Sequence, residues 1–306
     1  MKLVSWNVNG LRAVNGRADL AWAFDGASAA DVVCLQETKI QPDAVKGELK
    51  SRRGYERSFW SHHQTKKGYS GTAIYVKDGL EVAPCEFKVA ANDEDAAVGF
   101  DNEGRVVAVD LNDFVLINVY CPNGGQGGDR LVFKHAWHDA FLVALQRLMT
   151  TRKVVVCGDF NVAHKPIDLA FPDRWSKYSG FLAEERAWFD RLLAAGFIDS
   201  FRAEKGELPR QFTFWETRVE ARKDNTGWRI DYFVVDRRLE ERLLDAWISP
   251  QIYGSDHCPV GVELQTSQDA ACVAAAGVVD EVVDEEVVAE DAEEEDEEDG
   301  GGRWRR

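Results

Sequence analysis

The chain has no C-x-x-C pair. Its six cysteines stand apart at 34, 85, 121, 157, 258 and 272. A cysteine-based zinc site is therefore not expected, and reduced, buried thiols are. No apolar stretch reaches the roughly 18 residues that span a bilayer. The opening MKLVSWNVNG carries one lysine and no long apolar core of a signal peptide. Neither a membrane protein nor a secreted one is expected. The expected location is the cytoplasm, at the nucleoid if the source is prokaryotic. No segment repeats at a period of roughly 20–50 residues, which sets aside solenoids and propellers. An excess of positive charge is also missing. The formal net charge is −16, but 15 Asp+Glu against 3 Arg put −12 of it from Gln265 onward and leave −4 on the first 264 residues. Such a body does not exclude a nucleic-acid ligand, because binding needs only a local basic face.

Short apolar runs alternate with helical patterns. Leu3–Val8, Asp31–Leu35, Thr72–Val76, Val106–Leu111, Phe114–Tyr120, Val154–Cys157, Ile230–Val235 and Val260–Leu264 are predicted strands. Asp129–Thr150 and Ala183–Ala195 are predicted amphipathic helices, the second stopped by Gly196. Ala18–Phe24 and Asp43–Lys50 are weaker helix candidates. Strands and helices mixed over about 260 residues predict a layered α/β domain, its sheets covered by helices. The domain is expected to span 1–264. Residues 265–306 change character, leading through EDAEEEDEEDGGG to RWRR. A block of like charges repels itself and buries little, so this segment is expected to be a disordered tail. Its valines (Val278, Val279, Val282, Val283, Val287, Val288) keep a rough helical spacing. A transient helix that docks on an unknown protein partner is the weaker expectation.

The polar residues are informative by position. SWNVNG follows the first strand, QET the second apolar run, NVYCPNG closes the Phe114 strand and GDFN the VVVC strand; RIDYF opens a later strand and GSDHCP precedes the last. Polar groups at strand ends can converge on one rim of a sheet. The convergent set would be Asn7, Asn9, Glu37, Tyr120, Asn123, Asp159, Asn161, Asp231, Asp256 and His257. Each has an ordinary explanation by itself. Asn7 and Asn9 could form turns, Glu37 could be a solvated loop carboxylate, and Asp159 could cap a turn after Gly158. Asp231 could be a surface strand residue and Tyr120 a core aromatic. Acids, amides, a tyrosine and a histidine all at strand ends are not accounted for by those separate explanations. Carboxylate and amide oxygens are hard ligands suited to Mg²⁺ or Mn²⁺. A histidine beside them can meet a phosphate or an attacking water. The set points to metal-assisted phosphodiester hydrolysis.

At these residues the chain closely resembles the exonuclease III-type apurinic/apyrimidinic (AP) endonucleases of the endonuclease/exonuclease/phosphatase superfamily. The resemblance rests on SWNVNGLRA (5–13), CLQETK (34–39), GYSGTAIY (68–75), NVYCPNG (118–124), GDFNVAH (158–164), GWRIDYF (227–233) and GSDHCPV (254–260). It implies a four-layer α/β sandwich of two mixed sheets flanked by helices. It also implies Mg²⁺-dependent hydrolysis 5′ to an abasic site in duplex DNA, with 3′-phosphodiesterase and 3′→5′ exonuclease side activities. By this resemblance Glu37 is the principal metal ligand, with Asn7, Asn9 and Asp256 around the metal or its waters. Asp159 activates the attacking water and Asn161 holds that water or a phosphate oxygen. Tyr120 and Asn123 contact the phosphate, and His257, oriented by Asp231, stabilises its charge. Phe214, Trp228 and Ile230 match the lesion-pocket positions, while the neighbouring Trp215 is expected in the core. Arg12, Lys66, Lys67, Tyr69, Arg218, Arg222, Lys223 and Arg229 are candidate DNA contacts, although any single one could be a solvated charge. The partner is then duplex DNA with abasic sites or blocked 3′ ends, bound by a monomer. Adjacent residues of an extended segment point in different directions, so Ser255, Asp256, His257 and Cys258 form no local hydrolase triad. Ser255 is expected in a loop and Cys258 under the last strand.

Two departures stand out. FPDRWSKYSGF (171–181) replaces an asparagine-rich loop, placing Trp175 and Tyr178 where amides are common, and Gln126 sits near a place where some relatives carry a basic residue. The chain opens directly on its first strand, so no regulatory extension is expected before it. A phosphodiesterase acting on RNA tails, phosphoinositides or sphingolipid is a second reading, against which GWRIDYF argues. A binding protein with a retired site is a third, against which the complete set of acids argues.

Overall fold

The computed structural model describes residues 1–15, 18–25 and 29–267. The acidic segment beyond them, with its valine spacing, lies outside the described residues. Along the chain run β1 (Lys2–Asn7), α1 (Leu11–Val14), α2 (Ala18–Ala21), β2 (Val32–Gln36), β3 (Arg57–Ser61), β4 (Thr72–Val76), β5 (Ala83–Cys85), α3 (Asp93–Val98), β6 (Val106–Asp110) and β7 (Val115–Tyr120). There follow α4 (Asp129–Met149), β8 (Val154–Asp159), α5 (Pro172–Trp175), α6 (Ala183–Ala194), β9 (Phe197–Asp199), α7 (Ser200–Lys205), β10 (Asp231–Asp236), β11 (Leu243–Ile248) and β12 (Val260–Leu264).

The strands form two six-stranded sheets, ordered β11-β12-β1-β2-β4-β3 and β5-β6-β7-β8-β10-β9. Each holds one parallel pair, β1 with β2 and β7 with β8, among antiparallel neighbours. A parallel pair needs a crossover, and α4 supplies the one between β7 and β8. Side chains alternate across each strand. Leu3, Cys34, Ile74, Leu116, Cys157, Phe233 and Val262, drawn from both sheets, meet in one buried cluster. The sheets therefore pack face to face. The intervening residues point outward: Val4, Val33 and Tyr75 meet Leu11, Val14 and Leu20, while Ile117, Val156 and Val234 meet Phe141, Leu145 and Trp188. The result is the expected helix–sheet–sheet–helix sandwich. Burial on both faces explains why VVCL and VVVC are continuous apolar runs and not alternating ones.

Polar side chains cross between the sheets beneath one rim. Gln36 Nε2 donates to Ser5 Oγ at 2.9 Å and to Asn118 Oδ1 at 2.7 Å. Asn118 Nδ2, from the other sheet, donates to the carbonyls of Leu35 at 3.0 Å and Ala73 at 2.9 Å. A buried donor left unpaired costs about 1–3 kcal/mol. These bonds therefore favour one mutual placement of the two sheets.

Several local expectations need correction. Asp43–Lys50 is not a helix but two 3-10 turns, Pro42–Ala44 and Gly47–Leu49, with Gly47 at φ 55 breaking the run. The helix expected over Ala18–Phe24 covers only Ala18–Ala21. β3, β5, β9 and β11 were not anticipated. Gly196 does follow α6, at φ 113, and its N–H donates to the Leu193 carbonyl at 3.1 Å, as a helix-ending glycine does. Cys34, Cys121, Cys157 and Cys258 are buried and unbridged. No helix among the described residues is long and apolar enough to cross a membrane.

Candidate active site

The sheet topology assembles the strand-end residues. β1, β2, β7 and β8 finish at one rim, where register puts Asn7 beside Gln36 and Tyr120 beside Asp159. The antiparallel β10 starts there, pairing Asp231 with Asp159. The segment before β12 is tied in by Trp6 Nε1, which donates to the His257 carbonyl at 3.1 Å, and by Ser255 Oγ, which donates to the Asn7 carbonyl at 2.8 Å. A cavity of about 270 Å³ results, lined by Asn9, Glu37, Tyr120, Asn123, Asp159, Asn161, Asp256 and His257, with Ser179, Gly180, Phe214, Trp228 and Ile230 along its other side. A larger groove, about 560 Å³, passes Phe59, Pro84, Phe87 and Val107 and holds none of the strand-end set. The smaller, polar cavity is the one with chemistry.

Asp159 is the hub. Its Oδ2 accepts from Asn7 Nδ2 at 2.9 Å, and its Oδ1 accepts from the Asn161 N–H at 2.8 Å. Asn161 Nδ2 donates to the Cys121 carbonyl at 2.9 Å, and its Oδ1 accepts from Asn123 Nδ2 at 3.0 Å. Burial pushes the Asp159 carboxyl up to about 7, with Asp231 and Glu37 adding to the rise and His257 opposing it. Burial and the Glu37 charge hold Tyr120 well above the usual phenol range, so its hydroxyl keeps its proton and can donate. His257 is also buried, which alone would lower it. The Asp231 carboxylate, 2.8 Å from Nδ1, outweighs burial and raises it to about 10. The ring is therefore cationic at neutral pH, with Nε2 facing Asp159 Oδ2 at 3.8 Å.

Backbone strain concentrates here. Asn9 (φ 45), Glu37 (φ 50), Lys39 (φ 55) and Asn161 (φ 51) all occupy the left-handed region. Each such residue costs on the order of 1–3 kcal/mol and persists because its surroundings fix it.

Two groups could hold a cation. Asp159, Asp231 and His257 present ligand atoms within 4.8 Å of one another. However, Nδ1 of His257 and Oδ2 of Asp231 already bond each other at 2.8 Å, so two of these donors are engaged with each other. Glu37, Asn9 and Asp256 fit better. The Lys39 ammonium already stands between two of them, 3.0 Å from Glu37 Oε2 and bonded to Asn9 Oδ1, so a positive charge is accommodated there. Asn9 Nδ2 donates to Asp256 Oδ2 at 3.1 Å. Asn7 has both amide ends engaged: Nδ2 bridges Asp159 and Glu37 (3.0 Å), and Oδ1 accepts from the Asn9 N–H at 3.0 Å. Through Nδ2 it orients both carboxylates, and its Oδ1 keeps a second lone pair on the cation side.

The candidate DNA contacts separate. Arg12, Lys66, Lys67, Arg218 and Lys223 are exposed. Lys66 Nζ sits 4.1 Å over the Tyr69 ring, and the Tyr69 hydroxyl accepts from Arg105 and Arg130, each at 3.1 Å. Arg222 donates to the carbonyls of Pro250, Ile252 and Ser255 and packs over both Trp215 and Tyr253, which secures the loop carrying Asp256. Arg229 is a correction. It is only 2% exposed and is locked in ion pairs with Asp168 and Asp199, so it cannot reach DNA. Trp215 and Cys258 are buried together with Phe212 and Ala221, as expected.

Other contributors went unnoticed in the sequence. Thr213 Oγ1 accepts the N–H of both Ile230 (3.0 Å) and Asp231 (3.1 Å). Arg105, buried, lies 4.7 Å from the Tyr120 ring and donates to the Tyr120 carbonyl at 2.9 Å. Gly158 lets β8 press on β7, since a Cβ there would stand 1.9 Å from the Val119 carbonyl oxygen. A glycine between VVVC and an acid was the one visible signal. Ser255 does more than occupy a loop, because its hydroxyl also accepts from the His257 N–H at 3.3 Å.

Residues 4–257 match the Endonuclease/Exonuclease/phosphatase family. An exodeoxyribonuclease of Bacillus subtilis is 41% identical over 261 residues, covering 85% of this chain and 98% of its own. The DNA repair nuclease APEX1 of Danio rerio is 38% identical over 260 residues, covering 85% of this chain and 81% of its own. A 3′ phosphatase from Neisseria, solved with a product DNA hairpin, superposes with a TM-score of 0.76 at 28% identity, over 87% of this chain and 100% of that one. The chain belongs to the Endonuclease/Exonuclease/phosphatase family.

Proposed function

We propose that this protein is a Mg²⁺-dependent DNA repair nuclease that cuts the phosphodiester 5′ to an abasic site in duplex DNA, leaving a 3′-hydroxyl. The same site would trim blocked or plain 3′ ends. A hydrolytic nuclease acting in DNA repair is what the family and its relatives support. The finer reading rests on one observation: a carboxylate with a raised pKa, Asp159, faces the free nitrogen of a histidine cation across 3.8 Å. Asp159 takes a proton from a water as the water oxygen bonds to phosphorus; the bond to the 3′ oxygen breaks, and that oxygen leaves with the bonding pair and takes up a proton to give the 3′-hydroxyl. The His257 cation, held by Asp231, stabilises the charge on the phosphate. Tyr120 donates its hydroxyl to a phosphate oxygen, and Asn161 and Asn123 hold water and phosphate in place. Glu37, with Asn9 and Asp256, would hold Mg²⁺, for which Mn²⁺ can substitute, and the ion would neutralise phosphate and leaving-group charge. Phe214, Trp228 and Ile230 wall a space suited to a sugar without a base. Such a nucleotide also leaves the helix at reduced unstacking cost.

The test compares wild type with Glu37→Gln on duplexes bearing an abasic analogue, a 3′-phosphate, a deoxyuridine or a plain 3′ end, in Mg²⁺ or EDTA. Metal-dependent incision 5′ to the analogue, sharply reduced by the substitution, is expected. Equal activity of the two proteins overturns the metal assignment, and activity confined to RNA or lipid phosphodiesters overturns the substrate.

A further inference from the structure

The segment FPDRWSKYSGF has no part in the chemistry above, yet it borders the cavity through Ser179 and Gly180. Trp175 stacks on the cavity wall residue Trp228, with ring centroids 4.9 Å apart and planes at 28°. Phe171 meets Trp175 edge-on at 5.6 Å and 68°. Gly180, at φ 102, lets the loop close on this wall, since a Cβ there would stand 3.1 Å from the Trp228 ring. The outer aromatics are not buried by this packing. Phe171 is 48% exposed and Tyr178 61%. Arg174 and Lys177 stand exposed between them. Aromatic rings interleaved with cations suit an unpaired strand, because every base has a π-face and the cations track the phosphates.

We infer that Phe171, Trp175 and Tyr178 form a stacking shelf for an unpaired nucleobase of the strand being cut, beside the pocket for the base-less sugar. The inference rests on the nuclease reading above. A base inside a paired duplex cannot reach the shelf. The shelf therefore selects frayed or mismatched 3′ ends, and unpaired nucleotides next to a lesion, over fully paired ends.

The experiment measures binding by fluorescence anisotropy in EDTA, where the DNA stays intact, with 2-aminopurine as the 3′-terminal base, mismatched or paired. Trp175→Ala should weaken binding of the mismatched end by roughly tenfold or more and abolish 2-aminopurine quenching. The fully paired duplex should change by no more than about twofold. Trp175→Phe should keep most of the preference. Tyr178→Ala, at an exposed position where misfolding is not at issue, should reduce it in part. Equal weakening on both substrates, or none on either, overturns the shelf. Metal-dependent incision of an abasic duplex by wild type is scored separately. Incision without a Trp175-dependent preference sinks the shelf alone. A Trp175-dependent preference without incision sinks the nuclease reading alone.

Discussion

His257 Nδ1 lies 2.8 Å from Asp231 Oδ2 while its Nε2 faces Asp159 Oδ2 at 3.8 Å. One ring thus bonds one carboxylate and faces a second, Asp159, whose raised pKa poises it to take a proton. Asp231→Asn keeps an oxygen that can accept from Nδ1 and removes the charge. The fold should survive, and incision should fall on the order of 100-fold or more. Single-turnover incision at neutral pH, with circular dichroism to confirm the fold, checks this. A variant retaining a tenth of wild-type activity contradicts the role given to Asp231.

Glu103 pairs with Arg105 and Arg130, and Arg105 in turn donates to the Tyr120 carbonyl. Partial burial alone would raise its pKa, but hydrogen bonds and charge from Arg130 and Arg105 hold it at about 2. A carboxyl lowered in the folded state stabilises the protein above its ordinary value of 4.5. That contribution fades as pH falls from there through about 2. Solvent screening discounts the pair, leaving about 1–2 kcal/mol at neutral pH. Glu103→Gln should lower the melting temperature at pH 7 and flatten its decline between roughly pH 5 and 2.5. Parallel melting curves for variant and wild type across that range argue against it.

What the sequence disclosed follows from burial and distance. Asp159 and Glu37 were legible only as members of a set, because acids, amides, a tyrosine and a histidine all fall at strand ends, and adjacent strand ends share a rim. The sandwich was legible because VVCL and VVVC are apolar on both faces. β9, three residues long, and β11, LLDAWI, only partly buried along its length, lack that signature. Arg229 resembled a free cation because its partners Asp168 and Asp199 stand 61 and 30 residues away. Trp175 could be seen as a departure, but not as a stacking partner of Trp228. That contact depends on Gly180 permitting a close approach, which no local pattern announces.

Lys39 makes the cation site testable without catalysis. Its ammonium bridges Glu37 and Asn9, so an incoming divalent ion must displace it. Lys39→Ala removes one competing unit charge near the donors, a term of about 1 kcal/mol once the partial exposure of both side chains screens it. Mn²⁺ should bind roughly threefold to fivefold more tightly, as calorimetry or the loss of the aqueous Mn²⁺ paramagnetic signal would show. Weaker binding would mean that Lys39 helps to build the site and does not stand in for its ion.

Gly158 carries the strictest packing demand at the rim. At φ 139 it sits where L side chains rarely go, and a Cβ would lie 1.9 Å from the Val119 carbonyl oxygen on the parallel partner strand. Neither strand can yield easily. Asp159 and Tyr120 stand at the ends of these strands, and buried clusters hold both faces. Gly158→Ala should therefore cost roughly 3 kcal/mol or more through combined backbone strain and overpacking. The urea midpoint should drop with an unchanged slope, since the unfolded surface is the same. The strain would also displace Asp159, so incision by the folded fraction should fall as well. A variant with the wild-type midpoint would show that β7 and β8 can separate, and that the register placing Asp159 beside Tyr120 is softer than this contact implies.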